Sequence, residues 1–316
     1  MALGVSLLIL TAIIYYAWVS LPIMTGFSAK QMCTCTFVSG RDQKDIESNE
    51  LGFFPLGIVK NVINIEDSSV TSSVLGLAKK RAIYRKGIGC TLINNISEEQ
   101  LRWQSFIIPE TPVVQRDSLP WPYGDKVNDS IPSAVNKDKM NAAVEKAFTE
   151  PNPRKKQRTR AVVVLYDGQL ITEKYAPGYG MDSKMYGWSM AKSVTSALIA
   201  TLVMQGKLNV DQPAPVPEWT NADDPRHSIS LKNLLQQTSG LGFLENYTKA
   251  SDVTNMLYKK DDMAAYTARH TLAYEPGTFF NYSSGNSNIL SRIIRQTVDE
   301  KDYAAYPYNA LFYKIG

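Results

Sequence analysis

Ser189 and Lys192 stand three residues apart in the run Ser189-Met190-Ala191-Lys192, and Lys192 is the single charged residue between Lys184 and Lys207. The stretch that follows, 193–205, is mostly Val, Ala, Leu, Ile, Thr and Met. That composition predicts a helix apolar nearly all round, and hence buried. Positions i and i+3 share a helix face, so the serine hydroxyl and the lysine amine should meet. A buried ammonium is costly without a use or a partner. Burial favours the neutral amine, which accepts a proton from serine. This is the chemistry of a serine nucleophile with a lysine base.

The helix should begin close to Ser189. Gly187 and Trp188 precede it, and Gly206-Lys207 provides a C-terminal stop. A serine at a helix N-terminus has unpaired backbone N–H groups and the positive dipole end beside it, and both favour a developing oxyanion. A Ser-x-x-Lys match arises about once by chance in a chain of this length, so the motif gains weight only from its surroundings.

Those surroundings read as several parts. Residues 1–29 form an N-terminal membrane anchor or signal, 30–105 a small β-rich unit, 106–135 a Pro-rich connector, and 136–316 the domain that carries Ser189. Residues 30–60 read as irregular. Strand alternation then follows in 62–65, 70–75, 81–84 and 90–93, punctuated by Gly76, Gly87 and Gly89. Met140, Ala143, Val144, Ala147 and Phe148 fall at helical spacing. Arg160–Tyr166 and Gln169–Tyr175 make a hairpin around Asp167-Gly168. Short helices are expected at 229–237 and 288–298.

The first 29 residues carry no charged side chain, and Leu3–Met24 is apolar enough to span a bilayer. The start lacks a basic n-region, which favours an uncleaved anchor over a signal peptide. Lys30, Arg41 and Lys44 all lie downstream, which favours a cytoplasmic domain. The cysteines pull the other way. Pairing of Cys33 or Cys35 with Cys90, as against three reduced thiols, would imply an oxidising compartment, and the domain is expected outside the cytoplasm, in a periplasmic setting. Cys33-Thr34-Cys35 has the wrong spacing for a zinc knuckle, and only His227 and His270 are added to it, so no metal site is expected. The net charge of +4 gives no case for nucleic-acid binding. The basic run 154–160 reads as a solvated connector.

Several pieces together resemble one family. They are the helix and hairpin of 136–175, Trp188-Ser-Met-Ala-Lys192-Ser-Val, Leu208-Asn-Val-Asp211-Gln-Pro, Leu231-Lys-Asn-Leu-Leu-Gln-Gln-Thr-Ser-Gly-Leu241, and Glu275-Pro-Gly-Thr-Phe-Phe-Asn-Tyr-Ser-Ser284. The chain resembles the β-lactamase-related serine hydrolases: class C β-lactamases, D-Ala-D-Ala carboxypeptidases, family VIII esterases and 6-aminohexanoate-dimer hydrolases. The resemblance implies an α+β, penicillin-recognising fold, with an antiparallel sheet flanked by helices. It implies an acyl-enzyme on Ser189 with Lys192 as base, and Tyr282 as the tyrosine that shuttles a proton to the leaving group. The third residue of that motif is Ser284 where many members have Asn, and Asn286 stands two residues on. Tyr186 and Trp188 flank the nucleophile as candidate pocket residues.

The family's third motif, a Lys or His followed by Thr or Ser and Gly, lies well beyond the tyrosine. Lys314-Ile315-Gly316 sits at the wrong place to match it. The chain is therefore expected to be a C-terminally truncated member. The expected substrate is a small ester, amide or peptide (a β-lactam included), taken without cofactor, metal or nucleic acid, with the membrane as a partner through the N-terminal helix. Two readings compete with this one. A membrane-anchored, non-catalytic or slowly acylated binding module would use the same scaffold. An α/β-hydrolase would read Gly187-Trp188-Ser189-Met190-Ala191 as its elbow and need His270 as its base.

Overall fold

The computed structural model describes residues 2–113, 115–127 and 131–315. Val114 and residues 128–130 of the expected connector lie outside the described residues, as do Met1 of the expected anchor and Gly316. The chain divides into two compact units, Met1–Ile108 with Gly187–Pro307, and Pro109–Tyr186 with Tyr308–Gly316. The boundaries expected at 30, 106 and 136 do not coincide with this division, because the β-rich segment and the Ser189 segment share one unit.

The first unit starts with helix α1, Ala2–Phe37. The expectation of irregular chain after residue 30 is corrected here: α1 continues to Phe37, and α2 follows at Gln43–Asn49, capped by the Asp42 carboxylate. Thr25, Ser28, Ala29, Met32 and Cys33 are completely buried. Their spacing of three and four draws a single helical stripe. Small and polar members make that stripe inconspicuous by hydropathy. It packs on an antiparallel meander of β1 (Lys60–Asn64), β2 (Ser69–Val74), β3 (Leu77–Arg85) and β4 (Gly89–Leu92), in that spatial order. Helix α3, Glu98–Trp103, closes this segment with a Ser97–Gln100 capping box.

Polar bonds tie helix to sheet and strand to strand. The buried hydroxyls of Ser28 and Ser72 both donate to Asn61 Oδ1, at 2.7 and 2.5 Å. Lys30 donates to the Cys90 carbonyl. Cys33 and Cys90 form a disulfide across 57 residues, and Cys35 stays outside it, buried beside Arg41. Closing a loop of that length stabilises the fold by about 4 kcal/mol on the chain-entropy account. Reducing the disulfide, or Cys33→Ser, should therefore lower the melting temperature by many degrees in a thermal scan. Equal melting with and without reductant would show that the bond contributes nothing.

The second unit holds α4 (Lys137–Ala147) and the β5–β6 hairpin (Ala161–Tyr166, Gln169–Tyr175). Asn136 caps α4 through a hydrogen bond from Lys139 N. Asp167 and Gly168 both take positive φ, 49° and 74°, as a two-residue primed turn requires. Lys174 pairs with Glu145.

The first unit then continues with α5 (Met190–Met204), α6 (Leu231–Leu235), α7 (Asp252–Lys259), α8 (Met263–Ala268), α9 (Ser284–Thr297) and α10 (Glu300–Tyr303). Helix α9 is the central element. Ile289, Leu290, Ile293 and Ile294 are buried along one face, and α5, α6 and α8 pack around it. Helix α5 is less buried than its composition predicts. Leu198, Ile199 and Leu202 are covered, while Met190 is 69% and Met204 87% exposed. The physical reason is that α5 packs on α9 along one face only, whereas all-round apolarity suggested cover on every side.

Candidate active site

Ser189 is the N-cap of α5 and keeps helical backbone angles, with no side-chain cap bond. Its hydroxyl is therefore available for chemistry. Trp188, immediately before it, is held at φ 41°. A bulky side chain there is strained, and such strain gathers at functional sites. The Trp188 ring is half-exposed and stacks on Phe27 of α1, centroids 6.4 Å apart.

Lys192 lies one turn into α5. Its Nζ donates to Ser189 Oγ at 3.2 Å and to Ser284 Oγ at 3.1 Å. It also stands 4.8 Å from the Tyr282 ring centroid. Lys192 is half-buried rather than buried. The expected cost of a buried ammonium thus gives way to a set of hydroxyl partners.

The loop before α9 carries Tyr282, and the Gln237–Gly240 turn braces that loop. Gln237 Oε1 accepts from Ser283 N at 2.9 Å, the Gln237 carbonyl from Asn281 N at 2.8 Å, and the Thr238 carbonyl from Gly277 N at 2.8 Å. Hydrogen bonding with Ser189 comes first in pulling the Tyr282 phenol below the usual tyrosine range. Hydrogen bonding and charge from Lys192 add to it, and partial desolvation opposes them.

Ser284 opens α9 and is buried. Its hydroxyl donates to Glu245 Oε1 at 2.5 Å while accepting from Lys192, and its N–H donates to Glu245 Oε2 at 2.9 Å. Tyr247 OH donates to the same carboxylate at 2.6 Å. Burial first, and the Glu245 contact second, push the Tyr247 phenol up to about 12. One serine hydroxyl therefore links the lysine to a carboxylate set at a helix N-terminus, where negative charge is favoured. Glu245 was absent from the expected site. The signal in the sequence is slight: Glu245 is the one acidic residue between Gly240 and Ser251.

The remaining expected residues divide. Asn286 is buried, accepts from Ser239 at 3.0 Å and donates to Gln237 at 3.2 Å, so it supports the brace and does not stand beside Lys192. Tyr186 belongs to the second unit. His270 faces Asp252 at 3.3 Å and the Tyr266 carbonyl at 3.1 Å, with its ring against Phe243, a packing role that leaves the elbow reading without its base. A cleft between segments 222–228 and 272–276 contains none of Ser189, Lys192 or Tyr282. No group of three or more potential metal ligands occurs among the described residues.

The Beta-lactamase family model matches residues 143–315. Protein flp of Staphylococcus aureus strain MRSA252 is 32% identical over 164 residues, which is 48% of this chain and 32% of that protein. The chain thus spans about a third of the length of the curated relatives it matches. Two solved structures are similar. One is FmtA from Staphylococcus aureus, with a TM-score of 0.39, 18% identity, and coverage of 55% of this chain and 47% of that one. The other is a Bacillus anthracis protein provisionally described as a 6-aminohexanoate-dimer hydrolase, with a TM-score of 0.40, 19% identity, and coverage of 63% and 50%.

Proposed function

Because the chain belongs to the Beta-lactamase family, we propose that it is a serine hydrolase that forms an acyl-enzyme on Ser189 from a small ester or amide, β-lactams and peptides included. The observation that carries this reading is the contact of Lys192 Nζ with Ser189 Oγ at 3.2 Å, beside a tyrosine whose phenol is pulled down by the same two residues. Ser189 Oγ attacks the carbonyl carbon and loses its proton to the Tyr282 oxygen. Lys192, as ammonium, balances the phenolate charge. The carbon–oxygen or carbon–nitrogen bond to the leaving group breaks, and Tyr282 returns the proton to that group. Water then releases the acyl group. This differs from lysine as the direct base. The support is that Lys192 donates to two hydroxyls and is linked through Ser284 to the Glu245 carboxylate.

A fluorophosphonate probe tests the reading on the full chain in detergent. One adduct in the intact mass, mapped to Ser189 and absent from Ser189→Ala, is the expected result. No adduct on folded protein would instead indicate a non-catalytic binding module. Glu245→Gln should slow labelling by about tenfold, since charge-assisted bonds contribute ~1.5–3 kcal/mol. Labelling at the wild-type rate would remove Glu245 from the site.

Supporting evidence also favours a membrane-anchored protein with its hydrolase region outside the cytoplasm. One described helix, α1, is long and apolar enough to cross a membrane. Its Val5, Leu8, Ile14, Tyr15, Tyr16 and Trp18 stand at least 53% exposed. The Cys33–Cys90 bond favours an oxidising compartment.

A further inference from the structure

The tip of the β2–β3 hairpin is unusual in composition. Val74 pairs with Leu77, so the turn consists of Leu75 and Gly76, both at positive φ, 49° and 76°. Asn or Asp is the favoured residue where Leu75 sits, because a primed turn needs left-handed backbone. Leu75 is nevertheless there, 94% exposed, and Leu77 is 64% exposed. The tip therefore carries two unfavourable features together, a strained leucine and a bare apolar surface.

Its position along α1 gives these features a use. Strand β3 runs alongside α1 in the same direction. Thr25 Oγ1 bonds the Ala78 carbonyl at 2.6 Å, and Phe37 stacks on Tyr84 at 5.8 Å. Twelve helical residues rise about 18 Å and six strand residues about 20 Å, so the two elements keep step. The Leu75-Gly76 turn lies about two residues beyond Ala78, about 7 Å or four to five helical residues. That puts Leu75 near the level of Ser20 and Leu21, just short of Trp18, where the bare half of α1 begins.

Basic side chains stand alongside this stretch of α1 and β3. Lys259 Nζ donates to the Val19 carbonyl at 2.7 Å. Lys80 donates to Asn94, whose amide donates to the Lys260 carbonyl at 3.1 Å. Desolvation first, then repulsion from Lys80 and Lys260, lowers the pKa of Lys259. None of them takes part in an ion pair among the described residues, although Asp261, bonded to Asn95, lies next in sequence.

We propose that Leu75-Gly76-Leu77 is a second membrane contact, dipping into the lipid interface beside α1, with Lys80, Lys259 and Lys260 facing the phosphates of anionic phospholipids. An apolar element flanked by lysines has the form of an interfacial membrane contact, in which burial of apolar side chains adds to attraction by anionic headgroups. This docking rests on the anchor reading of α1 and is independent of the chemistry at Ser189.

The test uses the full chain reconstituted into vesicles of phosphatidylglycerol and phosphatidylcholine. An environment-sensitive fluorophore is attached at Leu75→Cys and, as a control, at Ile65→Cys. Ile65 is 68% exposed in the β1–β2 turn, at the far end of the sheet, where Ser68 accepts from Tyr84 N. The fluorophore at 75 should shift to the blue and be quenched by lipids spin-labelled near the headgroup, while the one at 65 stays in water. Equal water exposure of the two, in chains that float with the vesicles, overturns the docking and leaves the anchor standing. A chain that does not float overturns both. Quenching at 75 should weaken in pure phosphatidylcholine and in Lys80→Gln/Lys260→Gln. Quenching indifferent to both changes overturns the lysine contact.

Discussion

Tyr282→Phe should slow acylation of Ser189 by about 10²–10⁴-fold, the usual contribution of a positioned proton acceptor. The phenolic oxygen is the group that Ser189 and Lys192 both hold below its ordinary pKa. The sign of the pH dependence follows from that direction. A depressed phenol is ionised over a wider pH range, so the labelling rate should rise with pH through a value below the usual tyrosine range and then level off. Lys192→Ala removes one of the two causes. The rise should then move to higher pH, and the plateau should fall by a comparable factor. Rates of fluorophosphonate labelling across pH, for the wild type and both variants, read out all three expectations. A Tyr282→Phe chain that labels at the wild-type rate would return the base role to Lys192.

The second large effect is structural and lies outside the reacting groups. Gly240→Ala should cost about 3 kcal/mol or more, because it adds a Cβ to a residue at φ 77°, 2.2 Å from the Tyr274 carbonyl oxygen. Neither side can yield easily. Tyr274 N and Ala273 N both bond the Gly240 carbonyl, and the neighbouring Thr238 and Gln237 carbonyls hold Gly277 and Asn281. The variant should melt well below the wild type. Its surviving folded fraction should label slowly, since the same turn positions the Tyr282 loop. Thermal scans and labelling of the folded fraction separate the two losses, and an unchanged melting temperature would sink the bracing role.

Much of this arrangement is legible in the sequence, and the exceptions have physical causes. Ser189 and Lys192 meet because i and i+3 share a helix face, which spacing alone dictates. The four strands of the first unit and the Asp167-Gly168 hairpin follow from alternation and turn residues, both local signals. Helix α1 beyond residue 30 escaped because its buried stripe contains Thr, Ser, Ala and Cys. Such residues are buried by close approach rather than by apolarity. Gly26, where an added Cβ would lie 3.0 Å from Tyr258, shows how close that approach is. Glu245 escaped for a different reason. Its partner Ser284, and Lys192 beyond that serine, lie 39 and 53 positions away, and no spacing rule joins them. Asn286 illustrates the reverse error. It neighbours the tyrosine motif in sequence, yet the first turn of α9 directs it toward Ser239 and Gln237.

The stacking of Phe27 on Trp188 joins two parts of the molecule that the sequence keeps 161 positions apart. Phe27 lies nine residues along α1 from Trp18, a rise of about 14 Å. If α1 is an anchor, the nucleophile rides on a continuous helix instead of a slack tether, and its altitude above the lipid is set by that rise. Such an enzyme would sample a thin layer over the bilayer rather than a volume. Its choice of substrate would then depend on where a molecule is displayed as much as on which bond it offers.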